Sequence, residues 1–303
     1  MTLCPPVTAT LDEQLRAIRE GCAVRELKEL AVLEVQGRDR ATWLNGLVTQ
    51  DTRAIAPGRS VYAAAVAVKG KILSDLHVHA RAESLLLVFP SSQAAELTAH
   101  LDRFIVMEDV TLCPLDAAVL ALCGPAAGAP DLGERYETAR LGAAGFDVVV
   151  EAPRAEAARA ALAALADRGE VVPVSEEAWE AARVQAGVPR FGVDFGNANF
   201  VQEAAITPRA VSFNKGCYLG QEVVCRLEMR GHVQKLLLRL RVDGEVPAVG
   251  DAVRAEGGEV GVVTSAAAAP GGGAALAMVR YAAAEKPLEL CGRAAVTLPV
   301  YGA

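Results

Sequence analysis

The chain has 303 residues, 52% hydrophobic and 22% charged, the balance of a folded globular protein with room for two or three separately cored domains. A formal net charge of -7 excludes wholesale nucleic-acid binding, which needs a broad basic field. Asp12, Glu13, Arg16, Arg19 and Glu20 interrupt the first twenty-one residues, so neither a secretion leader nor a membrane contact is expected.

Apolar spacing predicts a helix over 11–25, a strand over 30–35 and a helix over 38–45. A hairpin over 61–68 and 72–80 turns through Lys69-Gly70-Lys71, followed by a strand at 85–89 and a helix from Ser91 to about residue 104. This β-α-β-β-α-β order suggests a ferredoxin-like unit within 1–112, completed by part of 188–230. A second α+β unit is expected over 113–187. It has strands at 117–123 and 146–151 around a Gly/Pro-rich loop at 124–133, and an alanine-rich helix over 154–168. Ser175 then caps a helix over 176–186 that Gly187 stops. From residue 231 onward, short alternating strands with turns at 247–251 and Gly271-Gly272-Gly273 suggest a small antiparallel β-barrel. The fold class is therefore α+β, with ferredoxin-like units followed by a barrel.

Seven cysteines, at 4, 22, 113, 123, 217, 225 and 291, are odd in number and scattered, without a Cys-x-x-Cys pair. That argues against a disulfide framework or a zinc ribbon and for reduced thiols in the cytoplasm. His77 and His79 share a strand face but lack a third ligand of suitable spacing, so no metal is assigned. Trp43 and Trp179 read as core anchors. Asp75 stays open between a site role and a structural one.

One stretch is not explained by core building: Lys215-Gly216-Cys217-Tyr218-Leu219-Gly220-Gln221-Glu222, with Arg226, Arg230 and Gly231 behind it. Small residues on both sides let the backbone approach a ligand while polar groups face it. Lys215, Arg226 and Arg230 would favour the thiolate of Cys217 and make it a nucleophile. Val223 and Val224 read as a strand, which ranks Cys225 second among the thiols.

These residues, with Arg190-Phe191-Gly192-Val193-Asp194 and Gln202-Glu203-Ala204, resemble the signature of the YgfZ family. Weaker stretches agree: Leu44-Asn45-Gly46, Lys69-Gly70-Lys71-Ile72 and Gly261-Val262-Val263-Thr264-Ser265. Members are folate-binding proteins of iron–sulfur cluster assembly, related in fold to the aminomethyltransferase (T-protein) of glycine cleavage. The resemblance implies the aminomethyltransferase type of folate-binding fold and tetrahydrofolate or another reduced folate as cofactor. It further implies iron–sulfur client or assembly proteins as partners and an indirect effect on tRNA modification. Glu203 takes the place of a pterin-binding acid, and Gln185, in Arg183-Val184-Gln185-Ala186-Gly187, that of a second one. Arg183, Arg190, Arg209, Arg226 and Arg230 would meet the folate carboxylates through guanidinium forks, with Tyr218, Gln221 and Glu222 completing the ligand-facing set. The transferases' "N-A-x-x-x-x-K-D" run reads Ser91-Ser92-Gln93-Ala94-Ala95-Glu96 here, without the lysine-aspartate pair. A binding factor is therefore expected ahead of the alternative, a folate-dependent aminomethyltransferase or demethylase.

Overall fold

A computed structural model describes residues 2–127, 132–231 and 233–302, apart from the side chain of Arg230. Part of the expected 124–133 loop, residues 128–131, lies outside the described residues. Thr10 opens α1 (Leu11–Glu20) with a reciprocal capping box to Glu13. The helix is shorter than the expected 11–25, because Ala23 to Glu26 leave it as strand β1 (Ala23–Glu26) and pair with a later strand. There follow β2 (Leu30–Gln36), α2 (Arg40–Asn45), β3 (Ser60–Val66), β4 (Ile72–Ala80), β5 (Leu85–Pro90), α3 (Ala94–Asp102) and β6 (Thr111–Leu115). The first sheet has the order β3-β4-β5-β2-β6 and is antiparallel throughout.

The second sheet takes β7 (Ala117–Cys123), β8 (Glu134–Thr138) and β9 (Gly145–Glu151), then, after α4 (Ala155–Asp167), β10 (Val172–Pro173). Its order, β10-β1-β7-β9-β8, inserts β1 between late strands, with β1 and β10 parallel. Residues 11–26 therefore sit with the second sheet, not with the 1–112 unit that chain order suggests. Next comes α5 (Glu176–Ala186), capped by the Ser175 hydroxyl and ended by left-handed Gly187. The chain continues through α6 (Thr207–Ala210) and α7 (Gln221–Arg230). The strands β11 (Lys235–Asp243), β12 (Ala252–Ala255), β13 (Gly258–Ala269), β14 (Gly272–Arg280), β15 (Leu288–Leu290) and β16 (Arg293–Leu298) close into a six-strand barrel, as expected.

Strand periodicity explains the layers. On β4, Leu76, Val78 and Ala80 enter a core under α2 and α3 with Leu44, Leu97 and Leu101. The opposite face turns Asp75, His77 and His79 towards the second sheet. There Val32, Leu86 and Val88 pack on Ile18, Val119, Val149 and Trp179. Arg81 ties the sheets at one edge, donating to Glu34, Glu134 and Glu151. Segment 191–224 covers the remaining part of the β3–β4 face, burying Phe191, Phe195, Val201, Ile206, Tyr218 and Val224 against Ala64, Val66 and Ile72. Asp194 joins that segment to the barrel by accepting from Thr264 and Ser265, both 2.6 Å, and from Arg183 at 2.6 Å.

Candidate functional site

Where the two sheets and segment 188–193 meet, a cavity of about 350 Å³ opens. Leu30, Val88, Phe89, Trp179, Val188 and Phe191 give it apolar walls; Tyr62, Asp75, His77, Arg140, Arg190 and Arg209 give it polar ones. The Tyr62 hydroxyl donates to Asp75 at 2.8 Å. Burial pushes the Asp75 carboxyl above its usual range despite the hydroxyl and the nearby Arg140 and Arg209. The same burial holds His77 well below the ordinary imidazole range, so it is uncharged at neutral pH.

Behind this wall Asp147 on β9 is fully buried and ionised. Arg140 holds it by two bonds, 2.7 and 2.6 Å, and Thr138 donates at 3.2 Å. Burial opposes the charge, but Arg140 and His79 more than offset it and keep the carboxyl well below its usual range. His79 donates its Nε2–H to the carboxylate, 3.1 Å away, and stacks on Tyr136 with ring centroids 4.4 Å apart. Desolvation nevertheless lowers the His79 pKa, leaving it neutral. The two histidines are thus parts of a buried polar wall. Among the described residues no group of three or more His, Cys, Asp or Glu could hold a metal ion.

The Lys215–Glu222 stretch lies elsewhere, and none of its residues lines the cavity. It is a loop running into α7, so the expectation of a strand at Val223 and Val224 is corrected: both are helical, Val224 buried and Val223 facing Gly70. Gly220 starts the helix in the left-handed region at φ 77°, where a Cβ would come 2.5 Å from the Ala67 carbonyl oxygen. Lys215 is buried, and its ammonium donates to the carbonyls of Asn45, Val48 and Gln50 at 2.6, 2.7 and 2.8 Å. All three donors are spent on a neighbouring loop, so Lys215 clamps backbone instead of serving the thiol. Desolvation lowers its pKa to about 8. Tyr218 is buried under that ammonium, 5.0 Å from the ring centroid, and Gln221 accepts its backbone N–H. Cys217, Glu222 and Arg226 are exposed.

The remaining expected ligand-facing residues separate. Arg183 reaches the cavity wall, but its guanidinium is buried among Glu180, Asp194, Ser265 and the Val188 carbonyl. It braces the barrel and cannot also fork a ligand carboxylate. Arg190 lines the cavity, bonded to Glu176 at 3.0 Å and Glu180 at 2.9 Å, and keeps a buried Nε without a partner. Gln185 turns away to the Ala268 carbonyl. Glu203 is buried outside the cavity, accepting from the Phe200 N–H at 3.1 Å and the Asn199 amide at 3.4 Å, with the Lys71 ammonium 3.7 Å away. It holds a turn of its own segment, because the nearest donors are local. Arg230 belongs to α7, and its side chain lies outside the described residues. Tyr62 and Arg140 were not singled out from sequence; the alternation that puts Asp75, His77 and His79 on one face of β4 was the available signal.

A family model for the GCVT N-terminal domain matches residues 5–129, and one for the CAF17 C-terminal beta-barrel domain matches residues 234–300. The chain thus carries a GCVT-type N-terminal domain and a CAF17-type C-terminal barrel. The "tRNA-modifying protein YgfZ" of Yersinia enterocolitica serotype O:8 is 29% identical over 254 residues, covering 77% of this chain and 75% of that one. The mitochondrial "iron-sulfur cluster assembly factor IBA57" of Mus musculus is 28% identical over 290 residues, 86% of this chain and 78% of that one. An aminomethyltransferase of Geobacillus kaustophilus is 24% identical over 296 residues, 88% and 80% of the two chains. The crystal structure of glycine cleavage system aminomethyltransferase T from Bartonella henselae has a TM-score of 0.83 at 22% identity, covering 100% of this chain and 91% of that one, and so shares its fold. The resemblance to YgfZ read from the motif is borne out by these matches. Among the described residues no helix is long and apolar enough to cross a membrane.

Proposed function

We propose that this GCVT-domain chain binds a reduced folate in the cavity between its sheets and supports assembly or repair of iron–sulfur clusters, acting indirectly on iron–sulfur-dependent tRNA modification. Cys217 is its reactive group, and iron–sulfur client or assembly proteins are its partners. The names of the YgfZ and IBA57 relatives support the second half of that reading. The first half rests on one observation, the Asp75 carboxyl held by Tyr62 within apolar and aromatic walls. A pterin needs a flat apolar slot and an acceptor for the N–H groups of its aminopyrimidinone edge, and Asp75 is the buried carboxyl among those lining the cavity. Arg190, with its free Nε, is placed for the glutamate carboxylates. A bound reduced folate would supply a one-carbon carrier, while the protein residues orient and enclose it. The free cysteines fit a reducing compartment, and we assign the cytoplasm.

Calorimetric titration with tetrahydrofolate is expected to give a Kd of about 10 μM, roughly -7 kcal/mol. Asp75→Asn is expected to weaken it about tenfold, the loss of a charged acceptor. Absence of heat or thermal shift at millimolar folate would rule the reading out. A one-carbon transferase is the second reading, favoured by the same Asp75: a buried carboxyl of raised pKa facing a cavity suits proton transfer. Turnover in a reconstituted glycine-cleavage assay separates the two.

A further inference from the structure

A second cavity, of about 850 Å³, lies beyond the first. Tyr62, His77 and Arg209 line both and form the partition between them. Arg209 is held unusually firmly for a cation without an anion. Its guanidinium carbon lies 4.8 Å from the Tyr62 ring centroid and 4.5 Å from that of Tyr301, so two aromatic rings hold it. Its stem packs on Gly302, φ 84°, where a Cβ would come 2.3 Å from the Arg209 Cγ. Tyr301 is fixed in turn by its N–H donating to the Gly187 carbonyl at 2.9 Å. Arg209 thus surrenders its rotamer freedom to residues from two distant segments.

The close contacts of its guanidinium are cation–π, with the Asp75 charge acting on it from beyond ion-pair distance. Among the described residues no carboxylate pairs with its guanidinium and no acceptor takes a hydrogen bond from it; the bonds of Arg209 are made by its backbone, the N–H donating to the Ile206 carbonyl and the carbonyl accepting from Gln50. Neither aromatic contact consumes a hydrogen bond, so the guanidinium N–H groups keep their donors, and their planar fork is shaped for an oxyanion. Asp75 is close enough to feel the charge, but it makes no ion pair with Arg209 and is bonded instead to the Tyr62 hydroxyl. On the far rim, Arg59 pairs with Glu137, so those charges offset one another. Thr138 and the backbone of Gly145 complete the wall.

We propose that the second cavity is a separate binding site for a small oxyanion, a carboxylate- or phosphate-bearing metabolite, gripped by the N–H edge of Arg209 from the side opposite the folate cavity. The site does not depend on folate binding. If both cavities fill, two ligands meet across the Tyr62–His77–Arg209 partition. An anion could instead reach Arg209 from the folate side, as that ligand's own carboxylates, and the test is arranged to tell these apart.

The test is nuclear magnetic resonance of ¹⁵N-labelled full-length protein titrated with glutarate and, separately, with inorganic phosphate. The Arg209 Nε–H resonance is assigned by its loss in Arg209→Lys. It is expected to shift saturably with one or both probes, together with the Gly145 amide, and to do so equally when tetrahydrofolate is present in excess. Read at Gly145, Arg209→Lys should weaken the probe about tenfold, because an ammonium cannot offer the planar fork. Tyr301→Ala, which frees the guanidinium without removing it, should weaken it too. No saturable shift in the wild type would overturn the proposal, as would unchanged affinity in a folded Arg209→Lys variant. Loss of the glutarate and phosphate response on adding tetrahydrofolate would also overturn it, by assigning Arg209 to the folate carboxylates.

Discussion

The inter-sheet cavity and the Lys215–Glu222 loop divide the work that the sequence motif concentrates in one place. In the loop, polar groups are turned inward to hold backbone: Lys215 on three carbonyls, Gln221 on the Tyr218 N–H, Gly220 against the Ala67 carbonyl. That leaves an exposed thiol on a braced turn. In the cavity the reverse holds. Charged and polar groups from β3, β4, α6 and the segment before β9 are gathered into an apolar enclosure, where burial shifts their protonation. A dense motif can mark a scaffold for one reactive atom, while a ligand site is assembled from residues scattered along the chain.

The contrast is sharpest in thiol chemistry. Burial pushes the Cys22 and Cys123 thiols up to about 11 and about 12, whereas Cys217 is exposed. Timed alkylation at pH 7 should label Cys217 well before either buried thiol, since it is exposed while burial keeps the other two protonated and out of reach. Equal rates would remove the reactive-thiol role. In the cavity wall, Asp147→Asn strands the buried Arg140 without its counterion and is expected to cost about 3–5 kcal/mol in urea unfolding. A loss below about 1 kcal/mol would mean that water reaches Arg140.

Lys215→Met tests the clamp. It leaves the Asn45, Val48 and Gln50 carbonyls without a donor and should cost about 2–3 kcal/mol by the same measurement. A variant of unchanged stability would return Lys215 to a role beside the thiol. The smallest effect is in pH. His77 and His79 have folded pKa values below the unfolded value of about 6.5, so the unfolded chain takes up protons that the folded one refuses. Their contribution is complete above about pH 6.5 and is lost as pH falls below it, by up to about 1.4 kcal/mol per histidine per pH unit. Stability measured from pH 7 to 5.5 should fall, and His77→Gln should make the decline shallower.

Much of the scaffold is legible because it depends on neighbours in sequence. Alternation over residues 72–80 gives β4 to the residue, Ser175 and Gly187 bound α5, and the turns after residue 231 mark the barrel. Other features depend on distant partners and are not. Val223 and Val224 suit a strand until Gly220 and the packing of Val224 show a helix. Residues 23–26 continue the helical pattern of α1 but are claimed by β7. Glu203 carries the right chemistry for a pterin, yet Phe200 and Asn199 turn it into a local brace. Asp75 stays open in the sequence between a site and a structural role, since the opposite wall of its cavity comes from Arg140, Trp179 and Phe191, far along the chain. The motif fixed attention on Cys217, and its clamp appears only when residues 45–50 are brought beneath it.

The division between cavity and loop is tested most directly by crossing two variants with two readouts: tetrahydrofolate affinity by calorimetry, and support of an iron–sulfur enzyme in cells lacking the chain. Asp75→Asn should weaken folate about tenfold, while Cys217→Ala should bind folate as the wild type does and fail to support the enzyme. Folate binding lost in Cys217→Ala and kept in Asp75→Asn would contradict the account and move the ligand site to the loop.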